Sequence, residues 1–77
     1  MSLKSKTTDW FPPRIKPVRE GVYQREHERM EKGFAYSNWD GKYWGKLADS
    51  PKMAEYNKYR ISMFQNLRWR GLVEEKP

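Results

Sequence analysis

Side chains able to perform catalysis are scarce in this sequence. It has no cysteine and a single histidine, His27, which lies between Glu26 and Glu28. Without cysteine there is no disulfide, thiolate metal site or cysteine nucleophile, and one histidine cannot supply a paired-histidine metal site. We interpret His27 as a solvated surface imidazole and Asp40 as a turn residue. No phosphate-binding, nucleophile-elbow or calcium-loop spacing occurs, so the sequence predicts a protein that is not an enzyme and uses no cofactor or metal.

Basic residues interleaved with aromatic residues are the stronger chemical signal. Lys42 and Lys46 flank Trp44, two arginines flank Trp69, and three further cations follow a proline-rich segment. In proteins that bind single-stranded nucleic acid, bases stack on exposed rings while cations contact the phosphates. The sequence therefore predicts a contact surface made of Arg14, Lys16, Arg19, Trp39, Lys42, Trp44 and Lys46.

The same surface also suits a protein partner. The chain has four Trp, five Tyr and three Phe, which is more aromatic surface than a core of this size can hide. Exposed aromatic patches rimmed by cations are typical of interface hot spots, and an open hairpin edge would allow homo-oligomers. We therefore expect a non-catalytic binding protein that acts through protein–protein interaction or assembly, with single-stranded nucleic acid as the alternative ligand.

Composition limits the fold that must position these residues. Seventy-seven residues allow one domain with one small core. Leu, Ile and Val number only nine against twelve aromatic residues, so we expect a core built from rings and methionines. The net charge of +6 favours a polyanionic ligand or serves solubility alone. No apolar run exceeds three residues, so we expect no membrane span and a cytoplasmic location.

The N-terminal third reads as irregular chain followed by one strand. Residues 1–9 lack any periodicity and predict a flexible basic arm. Three prolines within residues 10–19 exclude a helix and predict an extended strap, with Ile15 and Val18 toward the core. This strap is ordered only if Trp10 and Phe11 dock. Residues 22–27 predict a strand and residues 30–33 a turn, with a helix over residues 20–32 as the alternative.

The dipeptide Asp40-Gly41, between two β-prone aromatic segments, predicts a hairpin with a two-residue type I′ loop. In that register Trp39 pairs with Lys42 and Ser37 with Trp44. The predicted core face carries Phe34, Tyr36, Asn38, Tyr43, Gly45 and Leu47. The opposite face carries Ala35, Ser37, Trp39, Lys42, Trp44 and Lys46. We therefore expect Trp44 to be the most exposed tryptophan, and Trp10 and Trp69 to be structural.

The last third predicts one short helix and one short strand. Ser50 is a good N-cap and Pro51 a good first helical residue, and the pattern ends near Asn57 or Tyr59. Residues 68–73 alternate as a strand, and residues 74–77 form a charged tail. The expected fold is α+β: an antiparallel sheet of three or four strands in a single domain over residues 10–73. One helix packs across the Phe34/Tyr36/Tyr43/Leu47 face.

Three motifs within residues 10–72 carry a resemblance. They are Trp10-x-Pro12-x-x-Ile15-Lys16-Pro17-Val18-Arg19-x-Gly21-Val22-Tyr23, Tyr36-x-x-Trp39-Asp40-Gly41-x-x-Trp44-Gly45 and Trp69-Arg70-Gly71-Leu72. The chain resembles small uncharacterised proteins encoded by bacteriophages and prophages. The resemblance implies a phage-type accessory protein that acts in a bacterial host cell. It carries over no catalytic or ligand residues and leaves the partner open.

Overall fold

The computed structural model describes residues 6–73. Five strands and one helix follow one another along the chain: β1 (Lys6–Thr7), β2 (Gly21–Glu26), β3 (Phe34–Trp39), α1 (Pro51–Tyr56), β4 (Trp69–Arg70) and β5 (Leu72–Val73). Strands β3, β2 and β4 form an antiparallel sheet in that order, and β1 pairs with β5. The predicted small α+β fold, with a three-stranded antiparallel sheet and one short helix, is confirmed.

Strand β2 is the centre of the sheet. It pairs with β3 from Gly21↔Trp39 to Glu26↔Phe34, so the predicted strand is confirmed and the alternative helix over residues 20–32 is wrong. The connection between the two strands closes through backbone hydrogen bonds. The amide of His27 donates to the carbonyl of Gly33 at 3.0 Å. Gly33 has a φ of +84°, a conformation that favours glycine.

Two further segments extend the sheet beyond β3 without forming regular strands. Residues 44–48 pair with β3 at Trp39↔Trp44 and Tyr36↔Ala48, and Gly45 pairs in turn with Ile61. Two residues of β3 separate the first two pairs, whereas three residues of the partner segment separate them. The extra residue makes a β-bulge, which bends the segment and redirects its side chains.

The hairpin loop has four residues, Asp40 to Tyr43, so the predicted two-residue loop is wrong. The carboxylate of Asp40 accepts the amides of Lys42 and Tyr43 at 2.8 and 2.6 Å. The amide of Asp40 also donates to the carbonyl of Tyr43 at 3.1 Å. Because the Asp40 side chain accepts these backbone amides, a four-residue loop is satisfied without the tighter two-residue turn. Trp39 therefore pairs with Trp44 instead of Lys42.

The face predicted as the core of the hairpin is the wrong one. Ala35, Ser37, Trp39 and Trp44 are buried, whereas Phe34, Tyr36 and Asn38 are half-buried and Tyr43 is exposed. The prediction avoided the tryptophan face because two lysines shared it. The wider loop removes Lys42 from that face, and Lys46 follows the bulge and is exposed. Trp44, predicted to be the most exposed tryptophan, is 1% exposed.

The core is a cluster of three indoles: Trp39, Trp44 and Trp69. Phe11 stacks on Trp69 with ring centroids 4.6 Å apart, and Tyr23 meets the same indole edge-on at 5.1 Å. The predicted aromatic core and the structural role of Trp69 are therefore confirmed. The methionine part of the prediction is wrong for Met53 and Met63, which are exposed.

The proline-rich strap is anchored where β4 begins. Phe11 and Trp69 exchange backbone hydrogen bonds at 2.7 and 3.2 Å, and the indole N–H of Trp69 donates to the carbonyl of Ile15 at 2.6 Å. The predicted inward alternation is wrong, because Ile15 and Val18 are exposed and Pro17 is buried instead. The amide of Ile15 donates to the carbonyl of Pro12 at 3.1 Å, and this turn breaks the extended alternation.

The predicted arm and tail lie mostly outside the described residues, which leave out 1–5 and 74–77. The end of the arm differs from the expectation of a flexible segment. Lys6–Thr7 form β1 and pair with Val73 and Leu72 of β5.

Helix α1 begins and ends as predicted. The hydroxyl of Ser50 accepts the amide of Met53 at 3.3 Å, Pro51 opens the helix, and Asn57 is the C-cap. The helix packs against β2 and β3, and its buried residue is Ala54. The sequence predicts that the helix packs across the face that carries Phe34, Tyr36, Tyr43 and Leu47. On that face Tyr43 is exposed and the other three side chains are half-buried. No helix within residues 6–73 is long and apolar enough to cross a membrane.

Candidate binding surfaces

The predicted contact surface is divided by burial. Its five cations, Arg14, Lys16, Arg19, Lys42 and Lys46, are exposed, whereas Trp39 and Trp44 are buried. The ammonium of Lys16 lies 5.9 Å from the centre of the Trp39 ring, and that of Lys42 lies 5.3 Å from the Tyr43 ring. The two predicted tryptophans therefore offer no face on which a nucleic-acid base could stack.

Arg25 is a buried cation that sequence reasoning missed. It lies on the inward side of β2, two residues after Tyr23, and its guanidinium carbon stands 4.1 Å from the centre of the Trp44 ring. It donates to the hydroxyl of Ser37 at 3.4 Å and to the carbonyl of Phe64 at 2.9 Å. Burial lowers the pKa of Arg25 to about 9. Arg25 thus ties the chain at Phe64 to the sheet.

A run of exposed apolar side chains begins at the end of helix α1. Tyr56, Tyr59, Ile61, Met63 and Phe64, which we call the apolar segment, are between 44% and 87% exposed. Helix α1 ends at Tyr56, so the other four residues lie beyond it. The sequence analysis assigned none of the five to the predicted contact surface.

A groove runs beside the apolar segment. It has a volume of about 340 Å³ and is lined by Lys46, Leu47, Ile61, Ser62, Met63 and Phe64. The amide of Ser62 donates to Trp44 and the amide of Lys46 donates to Arg60, a pattern that leaves the backbone N–H and C=O of Ile61 pointing away from Gly45. Among residues 6–73, neither group of Ile61 has a hydrogen-bond partner, so a sheet edge is open here.

A second concavity of about 520 Å³ is lined by Glu26, His27, Glu28, Arg29, Phe64 and Leu67. His27 is half-buried rather than fully solvated. Its ring packs edge-on against Phe64 at 5.5 Å, and its Nδ1 accepts the amide of Arg29 at 3.3 Å. The guanidinium of Arg68 donates hydrogen bonds of 2.7 and 2.6 Å to the two carboxylate oxygens of Glu26. These bonds lower the pKa of that carboxyl. In the described part of the chain, no three His, Asp or Glu side chains lie close enough together to hold a metal ion.

The half-buried side of the sheet alternates rings with cations. We call it the outer face and define it by Trp10, Lys32, Phe34, Tyr36 and Arg70. The guanidinium of Arg70 lies 4.3 Å from the Trp10 ring and 5.3 Å from the Phe34 ring. The ammonium of Lys32 lies 5.5 and 5.6 Å from the rings of Phe34 and Tyr36. The composition predicted for the contact surface therefore occurs, but on the other side of the hairpin.

Comparison with known proteins finds no match: no protein-family model, no curated protein and no solved structure matches the chain. The described residues offer three candidate surfaces: the apolar segment, the concavity beside His27 and the outer face. Five large apolar side chains of the apolar segment are between 44% and 87% exposed.

Proposed function

We propose that this protein is a small non-catalytic accessory protein that binds a protein partner through the apolar segment. The observation that carries the proposal is the exposure of five large apolar side chains, between 44% and 87%, within nine residues. Single exposed apolar residues are ordinary on protein surfaces, whereas neighbouring ones mark interaction sites. The chain has only nine Leu, Ile and Val residues. The exposure of Ile61 therefore forgoes apolar burial that would stabilise a small core.

The geometry beside the apolar segment suits an extended partner. The open edge at Ile61 can pair with the backbone of an added strand, and the groove can take that strand's alternate side chains. In this mode main-chain hydrogen bonds supply affinity, while the contacts of Met63 and Phe64 supply specificity. The proposed partner therefore presents an extended segment with apolar residues at every second position.

Charge selects the kind of partner. Lys46 and Arg60 are exposed next to the groove, and the ammonium of Lys58 lies 5.4 Å from the Tyr59 ring. A second copy of this chain would bring another net charge of +6, which opposes self-association. An acidic protein is attracted by the same field. The resemblance to uncharacterised phage and prophage proteins is compatible with an accessory role and leaves the partner open.

Site-specific photo-crosslinking tests the proposal. A photoreactive amino acid replaces Tyr59 in one variant and Val18 in the other, in cells that produce the protein naturally. Val18 is a matched control because it is apolar, 99% exposed and distant from the apolar segment in sequence. We expect an acidic protein to be crosslinked at position 59 and not at position 18. Equal crosslinking at both positions contradicts the proposal.

The crosslinked protein is then purified, and its affinity is measured by calorimetry. The double variant Tyr59→Ser/Met63→Ser should weaken binding at least about tenfold, because interface hot spots lose over 1 kcal/mol each on truncation. Val18→Ser should bind like the unmodified protein. Unchanged affinity in the double variant rules out the apolar segment as the binding site.

A further inference from the structure

The outer face holds three rings on a rigid sheet. Phe34 and Tyr36 occupy alternate positions of β3 and therefore point to the same side, where their rings meet edge-on with centroids 5.8 Å apart. Trp10 joins them because its neighbour Phe11 pairs with Trp69 of β4. All three rings are half-buried, so each keeps part of its surface in contact with solvent.

The cations of this face are oriented by the protein before any ligand arrives. The Nε of Arg70 donates to the side-chain oxygen of Gln24 at 2.7 Å, and Gln24 is itself buried. The guanidinium is thereby held between the rings of Trp10 and Phe34. Lys32 is exposed and reaches over the other end of the row. Both cations lie over rings of this face. A base that stacks on the part of a ring left exposed therefore has a cation next to it for its phosphate.

The carboxylate that β2 places on this face is paired with a cation. Glu26 points to the same side as Gln24, since it lies two residues further along β2. Its two carboxylate oxygens both accept hydrogen bonds from Arg68, at 2.7 and 2.6 Å. Strand β2 therefore sets no free carboxylate against Lys32 and Arg70, and both cations can contact an anion.

We propose that the outer face binds single-stranded nucleic acid, with bases stacked on Phe34, Tyr36 and Trp10 and phosphates held by Lys32 and Arg70. This activity is separate from the protein partner proposed above, because it uses none of the residues of the apolar segment. Partly exposed rings on a sheet can receive unpaired bases but cannot reach the stacked bases of a duplex. The three rings and the two cations together favour a strand of unpaired nucleotides over an acidic protein, which has no planar groups in regular series.

Fluorescence anisotropy with labelled twelve-nucleotide dT and rU strands tests the proposal at low and moderate salt. Tyr36→Leu removes the ring but keeps apolar bulk, and we expect a loss of affinity of about five- to 150-fold, as for loss of one stacked base. Tyr59→Leu makes the same change on the apolar segment and should bind normally. Lys32→Gln should reduce the log–log salt slope by about 0.7, the value for one phosphate contact on a single strand. Lys52→Gln, an exposed cation on α1, should not change it.

Three outcomes overturn the proposal. Neither strand binds at low salt, a duplex of the same length binds equally well, or the control variants lose as much affinity as Tyr36→Leu and Lys32→Gln. Near-UV circular dichroism of each variant verifies that the fold is retained, and Phe34→Leu provides a second ring removal if Tyr36→Leu unfolds. Because the apolar segment is intact in Tyr36→Leu, failure here leaves the protein-partner proposal standing, and the reverse also holds.

Discussion

Arg25 places a guanidinium in the interior, where no carboxylate among residues 6–73 forms a salt bridge with it. Two hydrogen bonds, to Ser37 and Phe64, and the face of the Trp44 ring replace the water that the charge loses. Within the described residues its Nε has no partner. The buried guanidinium has a structural role: its hydrogen bond to the Phe64 carbonyl fixes the part of the chain that carries the apolar segment.

We expect the volume of Arg25 to matter more to stability than its charge. Arg25→Ala should lower the free energy of unfolding by about 3 kcal/mol or more, because it leaves a cavity under Trp44 and frees the Phe64 carbonyl. Arg25→Met fills most of that space without burying a charge and should be at least about 1 kcal/mol more stable than Arg25→Ala. Urea unfolding measures both values. Equal stability of the two variants would show that the hydrogen bonds dominate.

Asp40 makes the hairpin loop sensitive to acid. The amides of Tyr43 and Lys42 stabilise its ionised form and lower the pKa of its carboxyl from the ordinary 3.8. The unfolded chain therefore binds the proton more readily, so this contribution to stability is complete above pH 3.8 and is lost as pH falls through the lower folded pKa.

Asp40→Asn tests this linkage, because the amide oxygen accepts the same bonds but carries no charge. We expect the unmodified protein to be more stable than the variant at pH 6 and the difference to shrink as pH falls below 3.8 and through the lower folded pKa. Urea unfolding at a series of pH values gives the comparison. A difference that is constant over this range would mean that Asp40 acts without its charge.

At the scale of elements, the hairpin loop depends on one residue with a positive φ. Gly41 has a φ of +98°, and a Cβ there would come within 3.3 Å of a carboxylate oxygen of Glu20. Gly41→Val should therefore lower the free energy of unfolding by about 1 kcal/mol or more, since β-branched residues avoid positive φ. Gly41→Asn should cost less, because asparagine enters this region more readily. A neutral Gly41→Val in chemical denaturation would contradict the loop geometry.

The elements that the sequence predicted well are those with local signals. Ser50 and Pro51 mark the start of α1 by side-chain capping and a fixed φ, both of which are local properties. The β-favouring residues Val22 and Tyr23 marked the start of β2 in the same way. The loop length was not predictable, because Asp40 can cap either a two-residue or a four-residue turn. That choice is made by the pairing of Trp39 with Trp44, a contact between strands.

At the scale of the whole molecule, the side of the hairpin that faces the core was predicted wrongly because the two lysines were given more weight than the two tryptophans. Reading lysines as outward-facing assumed that Lys42 lies in a strand, whereas the loop and the bulge take both lysines off the tryptophan face. Two buried indoles then outweigh the Phe34 and Tyr36 rings in apolar area. The basic–aromatic composition of the candidate site was foreseen, but its location required the three-dimensional pairing. The sequence analysis did not identify the apolar segment, because the exposure of residues after the end of α1 depends on how the chain packs.

The indole cluster has an optical consequence. Trp39 and Trp44 lie 5.0 Å apart and Trp44 and Trp69 lie 6.1 Å apart, with tilted rings. At such separations the excited states of neighbouring indoles couple, and the coupled transitions rotate light only while the rings keep their mutual angles. The near-ultraviolet ellipticity of the unmodified chain thus reports whether the three indoles keep their packing in the interior, and no added label is needed to follow it.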